Sequence, residues 1–140
     1  MKIKVKIINT KKWHEMCLAI RRQVFILEQN ISKKIETDDQ LVNATHILAF
    51  SKEKAVGTAR YRRTDSGIKL ERFAVLKQFR NLDIGKVLVL FILEKLKNEK
   101  FIYLIAQESV IGFYDNLGFD LIGEFFSEAE IPHQKMVYSG

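Results

Sequence analysis

The sequence predicts a mixed α/β domain, in which a twisted sheet of six or seven strands has helices on both faces. Strand-like and helix-like segments follow one another in the order β-α-β-β-β-α-β-α-β-β. The length of 140 residues suits one domain with one core. The hydrophobic fraction of 47% is ordinary for a globular protein, and no repeat or linker is visible. We therefore predict a single domain over residues 1–140.

The first elements are a strand and a helix. Residues 2–8 alternate lysine with apolar residues, which predicts a strand with one exposed face. Thr10 then caps a helix that runs to about Leu27, and the polar segment 30–43 reads as a loop. The apolar residues of this helix recur at helical spacing: Trp13, Met16, Cys17, Ile20, Val24 and Leu27.

Three strands follow, at 45–51, 55–63 and 68–75, with gaps short enough for hairpins. In the third, apolar residues occupy even positions up to Leu70 and odd positions from Phe73, so the alternation slips near Glu71 and Arg72. A strand buried on both faces would explain this, and so would a β-bulge. We favour the bulge, because bulges gather beside active sites.

The second half of the chain begins with a helix at 83–100. Periodicity alone does not distinguish the run VLVLFIL at 87–93 from a buried strand, but the polar tail and the total length favour a helix. The remaining elements are a strand at 102–107, a helix at 109–117 that stops at Gly118, and strands at 119–126 and 135–138.

Composition excludes several classes of protein. A single cysteine excludes an intrachain disulfide, and the three histidines lack ligand spacing, so no metal site is expected. We expect a cytoplasmic protein with no membrane partner, because the N-terminus lacks a signal peptide's apolar core and 87–93 is too short to span a bilayer. The net charge of +6 reflects either solubility or an anionic partner. No run of five or six basic residues occurs, which argues against nucleic acid.

Two segments carry the functional signal. Residues 70–86 read as a strand, a short loop and a helix start, where backbone N–H groups form an anion site. An ordinary polar turn before a capped helix is the alternative. Residues 112–119 place Tyr114 near the end of a helix, where a phenol either donates a proton to a leaving group or packs inward. The pair suggests group transfer from a phosphate-bearing cofactor.

Over nearly its whole length the chain resembles the GNAT superfamily of acyl-CoA-dependent N-acetyltransferases. Residues 80–85 lie where the family has its Arg/Gln-x-x-Gly-x-Gly/Ala pyrophosphate loop, and FYDNLGF at 113–119 resembles the F-Y-x-x-L-G-F signature. Val24, Phe25, Glu28 and Gln29, together with the segment 131–136, resemble a subgroup of small single-domain members.

The pyrophosphate loop departs from the family at two positions. Asp83 stands at the middle glycine, and Asn81 replaces another common glycine. Both residue types tolerate the left-handed conformation. The carboxylate of Asp83 would repel a diphosphate unless it points to solvent or caps the helix.

The resemblance implies direct transfer of an acetyl group from acetyl-CoA to a primary amine. Tyr114 would be the general acid. The base would be Glu71, directly or through a water, or His133, which we expect on a loop after Pro132. Glu71 has the alternative of an ion pair with Lys69 or Arg60. A backbone N–H near Phe73 or Ala74 would polarise the thioester carbonyl. The implied cofactor-binding residues are Phe73, Ala74, Val75, Arg80, Asn81, Asp83, Ile84, Gly85, Lys86, Val87, Gln107 and Asn116. Asn116 has the alternative of only capping its helix. The implied substrate-binding residues are Arg21, Phe25, Glu28 and Gln29, and the charged ones among them have the alternative of a solvated face.

Other expectations concern the acceptor and the rival functions. Cys17 lies on an apolar stripe, which argues against a covalent thiol intermediate. The acceptor is a small-molecule or peptide amine, and the acidic loop with Glu36, Asp38 and Asp39 hints at a cationic one. A homodimer would match many relatives, and a non-catalytic acyl-CoA-binding module is the alternative function. We also expect a solvated strand edge at Arg60, Arg62 and Arg63.

Overall fold

The computed structural model describes residues 2–28, 43–128 and 130–140. The chain forms two compact units, the first built from Met1–Arg62 and Arg72–Lys97 and the second from Arg63–Glu71 and Asn98–Gly140. The elements in chain order are β1 (Ile3–Ile7), α1 (Lys11–Arg21), a π-helical segment (Arg22–Glu28), β2 (Thr45–Ser51), β3 (Lys54–Thr64), β4 (Gly67–Val75), a 3₁₀ turn (Lys77–Phe79), α2 (Ile84–Lys95), β5 (Ile102–Gln107), a second 3₁₀ turn (Glu108–Val110), α3 (Ile111–Asp115), β6 (Phe119–Glu128) and β7 (Ile131–Tyr138).

The predicted mixed α/β class is confirmed, and the described residues contain seven strands. The run VLVLFIL lies in α2 and is therefore helical. The predicted first helix is divided: regular α-helix ends at Arg21 and a π-helical segment continues to Glu28. The predicted second helix is too long, because Leu96 leaves helical geometry with φ −103° and ψ 17°.

In the first unit, β1 pairs antiparallel with β2, and β2 pairs antiparallel with β3. Helix α1 begins where predicted, since the Thr10 hydroxyl accepts a hydrogen bond from the Trp13 N–H at 3.2 Å. Its buried Cys17 and Ile20 form a core cluster with Leu48 of β2.

Helix α2 covers the opposite face of the same strands. Gly57 of β3 is paired with Ala49, the neighbour of Leu48 on β2, and so faces away from α1. A Cβ atom at Gly57 would lie 3.1 Å from Ile84 and 3.3 Å from Leu88, both on α2. The prediction of helices on both faces therefore holds within this unit, and α2 packs closely because residue 57 has no side chain.

In the second unit, the first residues of β4 pair parallel with β5, β5 pairs antiparallel with β7, and β7 with β6. The β4–β5 ladder has three pairs, from Ile68↔Ile102 to Leu70↔Leu104, although β5 continues to Gln107. Strand β6 has a register shift between Ile122 and Phe126. Among the described residues, no helix is both long and apolar enough to span a bilayer.

Candidate active site

The loop before α2 has the unusual backbone geometry that a phosphate-binding turn needs. Asn81 has φ 65° and Asp83 has φ 62°, both in the left-handed region. Glycine is the default residue there because a Cβ atom is unfavourable, and asparagine and aspartate are the usual exceptions. The two departures from the family loop are therefore compatible with the turn.

The first amides of α2 precede the hydrogen-bond ladder of the helix. Asp83 is the N-cap residue, but its side chain makes no capping hydrogen bond and is exposed. The ladder begins with the Val87 N–H, which donates to the Asp83 carbonyl at 2.9 Å. The N–H groups of Ile84, Gly85 and Lys86 lie before it, at the positive end of the helix dipole. The sequence left two ways for an anion to bind next to Asp83: its side chain points to solvent, or it caps the helix. The structure shows the first.

Side chains around this loop have mostly structural roles in the first unit. The Arg80 Nε donates to the Val75 carbonyl at 3.0 Å, so the guanidinium ties the loop to the end of β4. Ile84 is buried and faces β3, which leaves its backbone for a ligand. Ala74 is buried in the core cluster, while Lys86 is exposed. Three further predicted cofactor residues, Phe73, Val75 and Val87, are half-buried.

The predicted irregularity in β4 coincides with a left-handed residue. Arg72 has φ 58° inside an otherwise extended strand. Left-handed non-glycine residues in strands mark local strain, which concentrates at functional sites. The buried apolar positions nevertheless keep one parity, at Ile68, Leu70 and Ala74. Glu71 is buried as well, directly after Leu70, so the alternation of burial is interrupted next to Arg72.

Tyr114 lies on α3 in the second unit and is buried. Its ring contacts Phe113 and Phe119 edge-on, with centroids 5.0 Å and 5.9 Å apart. Burial raises the pKa of Tyr114, because the phenolate would be poorly solvated there. The phenol is protonated at neutral pH, as an ordinary tyrosine also is, and its burial makes it a weaker acid.

The residues after Tyr114 end the helix at Asp115, so it is shorter than the predicted 109–117. Asn116 is the C-cap residue, where its backbone N–H donates to Gly112, and its side chain is exposed. Gly118 has φ 99°, and a Cβ atom there would lie 3.0 Å from the Gly140 carbonyl oxygen. A glycine is therefore required at 118 by both backbone geometry and space.

His133 lies on strand β7, so the predicted loop is wrong. Pro132 suggested the loop, but a proline is tolerated near the start of a strand. The ring is buried and stacks on Phe126 at 6.2 Å. Its Nδ1 lies 2.7 Å from the Ile131 carbonyl oxygen. A carbonyl only accepts hydrogen bonds, so Nδ1 carries the proton and Nε2 is the basic nitrogen of the neutral ring.

Glu71 is buried and forms an ion pair with Lys69, 3.3 Å from Nζ to Oε1. The structural alternative that the sequence offered for this residue is therefore present. Lys69 is paired with Tyr103 of β5, which shares its face of the strand with Gln107. Because Gln107 is paired with His133, the two candidate bases lie on the same face of the second unit.

Tyr114 lies on the opposite face of that unit. It packs on Phe119, which is paired with Tyr138 of β7. Tyr138 and His133 are five residues apart on the same strand, so their side chains point to opposite faces. The structure therefore separates the candidate acid from both candidate bases by the thickness of the strands.

The predicted substrate-binding residues are either buried or lie outside the described residues. Arg21, whose alternative was a solvated face, is fully buried at 1% exposure, and Phe25 belongs to the core cluster. Arg60 is also fully buried, which contradicts the predicted solvated edge, whereas Arg63 is exposed. The side chain of Glu28, as well as Gln29 and the acidic residues Glu36, Asp38 and Asp39, lies outside the described residues.

Sequence reasoning missed Gln134. This residue is buried, and its Nε2 donates to the Gly123 carbonyl at 2.6 Å. Its Oε1 is buried without a hydrogen-bond partner among the described residues. Had the strand been predicted from residue 131, alternation along β7 would have placed Gln134 on the face opposite His133.

Cys17 lies in the core, and the described residues hold no cluster of metal ligands. Cys17 is buried at 0% exposure, 3.8 Å from the Ile47 carbonyl oxygen, as its place on the apolar stripe indicated. In the described part of the chain, no three histidine, cysteine or acidic side chains form a group that could hold a metal ion.

Comparison with known proteins gives consistent matches. Residues 6–139 match the family model described as an acetyltransferase (GNAT) domain. An uncharacterized protein of Bacillus subtilis, YyaT, is 38% identical over 138 residues, covering 94% of this chain and 93% of that protein. The crystal structure of Escherichia coli ElaA superposes with a TM-score of 0.86 at 26% identity, covering 99% of this chain and all of that one. A GNAT family acetyltransferase from Elizabethkingia anophelis, solved with acetyl-CoA bound, has the same fold at 19% identity, a TM-score of 0.73 and 97% coverage of each chain.

Proposed function

The chain belongs to the GNAT family of acetyltransferases, and on that premise we propose that it transfers an acetyl group from acetyl-CoA to a primary amine by direct attack. The acceptor is a small molecule or a peptide, and the reaction takes place in the cytoplasm. A homodimer remains a prediction from the family. The alternative is a module that binds acyl-CoA without turning it over.

One observation carries the proposal: the amides that open α2. Three consecutive N–H groups, at 84–86, precede the helical ladder, and the two residues before them that need left-handed geometry have it. Such a helix N-terminus binds a diphosphate through its N–H groups and its dipole. The residues present therefore fit the diphosphate of coenzyme A, and the exposed side chain of Asp83 leaves the amides accessible.

The proton transfers are assigned to the second unit. Tyr114 is protonated at neutral pH, as tyrosines ordinarily are, and we assign it as the donor of the proton that the departing thiolate of coenzyme A takes up. Glu71 or His133 takes the proton of the attacking amine. Either one is chemically suited, because a carboxylate accepts protons and the Nε2 of His133 is the basic nitrogen of its ring. Since acid and bases lie on opposite faces, neither candidate base can take the Tyr114 proton directly.

The test is acetyl-CoA turnover with a panel of primary amines, followed by detection of free thiol. Calorimetric titration with coenzyme A runs in parallel. Amine-dependent thiol release supports the proposal. Binding of coenzyme A without thiol release across peptides, polyamines, amino acids and amino sugars would favour the binding module. Absence of coenzyme A binding would overturn both.

A further inference from the structure

A second basic site lies in the first unit, at the turn between β2 and β3. A cavity of about 1020 Å³ is bounded by the start of β1, this turn and the 3₁₀ turn after β4. None of residues 80–87, which form the proposed diphosphate loop, lines it. The lining residues are Lys2, Lys4, Ser51, Lys52, Glu53, Lys54 and Phe79.

The charge in this cavity is strongly unbalanced. Four lysines against one glutamate give the lining a net charge of +3. None of these lysines forms an ion pair with a carboxylate in the described part of the chain. A cleft lined by one sign of charge with apolar walls focuses its field and concentrates counter-ions. Here the lysine stems and Phe79 supply the walls.

The turn itself is built around a charged residue at an unfavourable position. Ser51 and Lys54 are paired, so Lys52 and Glu53 form a two-residue turn. Lys52 has φ 56°, a conformation for which glycine is favoured. The chain thus places a lysine where glycine would fold more easily. From this turn, Lys52 lines the cavity.

An aromatic ring completes the site. Phe79 is half-buried, and the Nζ of Lys54 lies 5.1 Å from its ring centroid. The attraction between the ammonium group and the ring holds Lys54 over the wall of the cavity. The lining therefore combines charges for phosphate groups with a flat apolar surface.

We propose that this cavity binds a nucleoside diphosphate as a second ligand, separate from the acyl donor. The diphosphate neutralises the lysines, and the base lies against Phe79. The volume is of the order that small-molecule sites have, about 300–1,000 Å³. Four lysines line one concavity, which favours a small ligand over a nucleic acid strand. This inference does not depend on the proposed acetyl transfer.

The test follows backbone amide chemical shifts of residues 51–54 during titration with inorganic pyrophosphate and with ADP, at saturating coenzyme A. We expect saturable shifts with both probes. In the double variant Lys4→Gln/Lys52→Gly, the Kd for pyrophosphate rises about tenfold or more, since two of the four cations are lost. Glycine at 52 removes the charge and relieves the backbone, so the melting temperature does not fall. Glu53→Gln tightens binding.

The matched control is Lys11→Gln/Lys12→Gln, which removes the same charge from exposed positions of α1. It should change the Kd less than twofold. Phe79→Leu should weaken ADP and leave pyrophosphate unchanged, which separates the ring from the charges. Three outcomes contradict the proposal: no shifts at millimolar probe, an equal loss in the control variant, or displacement of pyrophosphate by coenzyme A, which would make the cavity part of the donor site.

Discussion

The two units are prepared for reaction in different ways. In the first, the proposed contacts come from backbone amides at the start of α2, and the nearby Asp83 side chain is exposed. In the second, the candidate groups are buried side chains: Tyr114, Glu71 and His133. A backbone site depends on φ and ψ and accepts any side chain that permits them. A side-chain site depends on one functional group. Substitutions should therefore be tolerated in the loop and damaging at the buried groups.

The largest effect is expected at Tyr114. Tyr114→Phe removes the proton donor and keeps the ring contacts with Phe113 and Phe119. The kcat should fall by about 10²–10⁴-fold, while the affinity for coenzyme A changes little. Thiol release and calorimetry measure the two quantities.

The matched control is Tyr103→Phe. Tyr103 is a second buried tyrosine of the same unit, and its hydroxyl lies 2.7 Å from the Thr64 hydroxyl. Its loss should lower the melting temperature without a large change in kcat. Equal turnover in Tyr114→Phe and the wild type would remove Tyr114 from the mechanism.

The second prediction separates the two candidate bases. We expect Glu71→Gln to lower kcat by about 10²-fold and His133→Gln to have a much smaller effect. The reason is that Glu71 adjoins the left-handed Arg72 and the amides of Phe73 and Ala74, which we assign to the thioester carbonyl. Thiol release at saturating acetyl-CoA and amine measures kcat for both variants.

Breaking an ion pair also destabilises the fold, so this test needs its own control. Lys69→Gln breaks the same pair and keeps the carboxylate. If Lys69→Gln lowers kcat as much as Glu71→Gln, the pair has a structural role. If His133→Gln causes the larger loss, then His133 is the base.

Residues near one another in the chain were predictable, and those joined by strand pairing were not. The loop before α2 was readable because asparagine and aspartate are the residues that replace glycine at positive φ, as at Asn81 and Asp83. His133 was misplaced because its strand depends on pairing with Gln107, which lies 26 positions earlier in the chain. No pattern in the neighbouring residues indicated a strand strongly enough to outweigh Pro132, which favoured a loop.

The other wrong predictions concerned charged residues, which were expected in solvent and are buried. Arg21 follows Cys17 by four positions, which places both on one helix face, yet its charge suggested solvent. A long charged side chain is usually exposed, so composition favoured the wrong reading. Spacing was the better guide here.

The third prediction uses alkaline pH to test whether the second unit really keeps its acid buried. Because burial raises the pKa of Tyr114, the folded phenol stays neutral where the unfolded one ionises. This contribution to stability is fully present below about pH 10 and is lost as the pH rises further. The melting temperature should therefore fall more steeply between pH 9 and 11 in the wild type than in Tyr114→Phe. If the melting temperatures of the wild type and Tyr114→Phe fall in parallel with pH, the phenol is solvated.

The smallest effect is expected in the loop, at Asp83. Asp83→Asn removes the negative charge near the diphosphate and keeps a residue that tolerates φ 62°. Because the side chain is exposed and screened, coenzyme A should bind only about twofold to fivefold more tightly, as measured by calorimetry.

Asp83→Gly should give the same gain in affinity, since glycine also permits φ 62° at this position. Asp83→Ala removes the charge but disfavours the turn, so it should bind more weakly than Asp83→Asn. If alanine and asparagine bind equally well, backbone geometry at 83 does not control the site, and the contrast between a backbone site and a side-chain site fails.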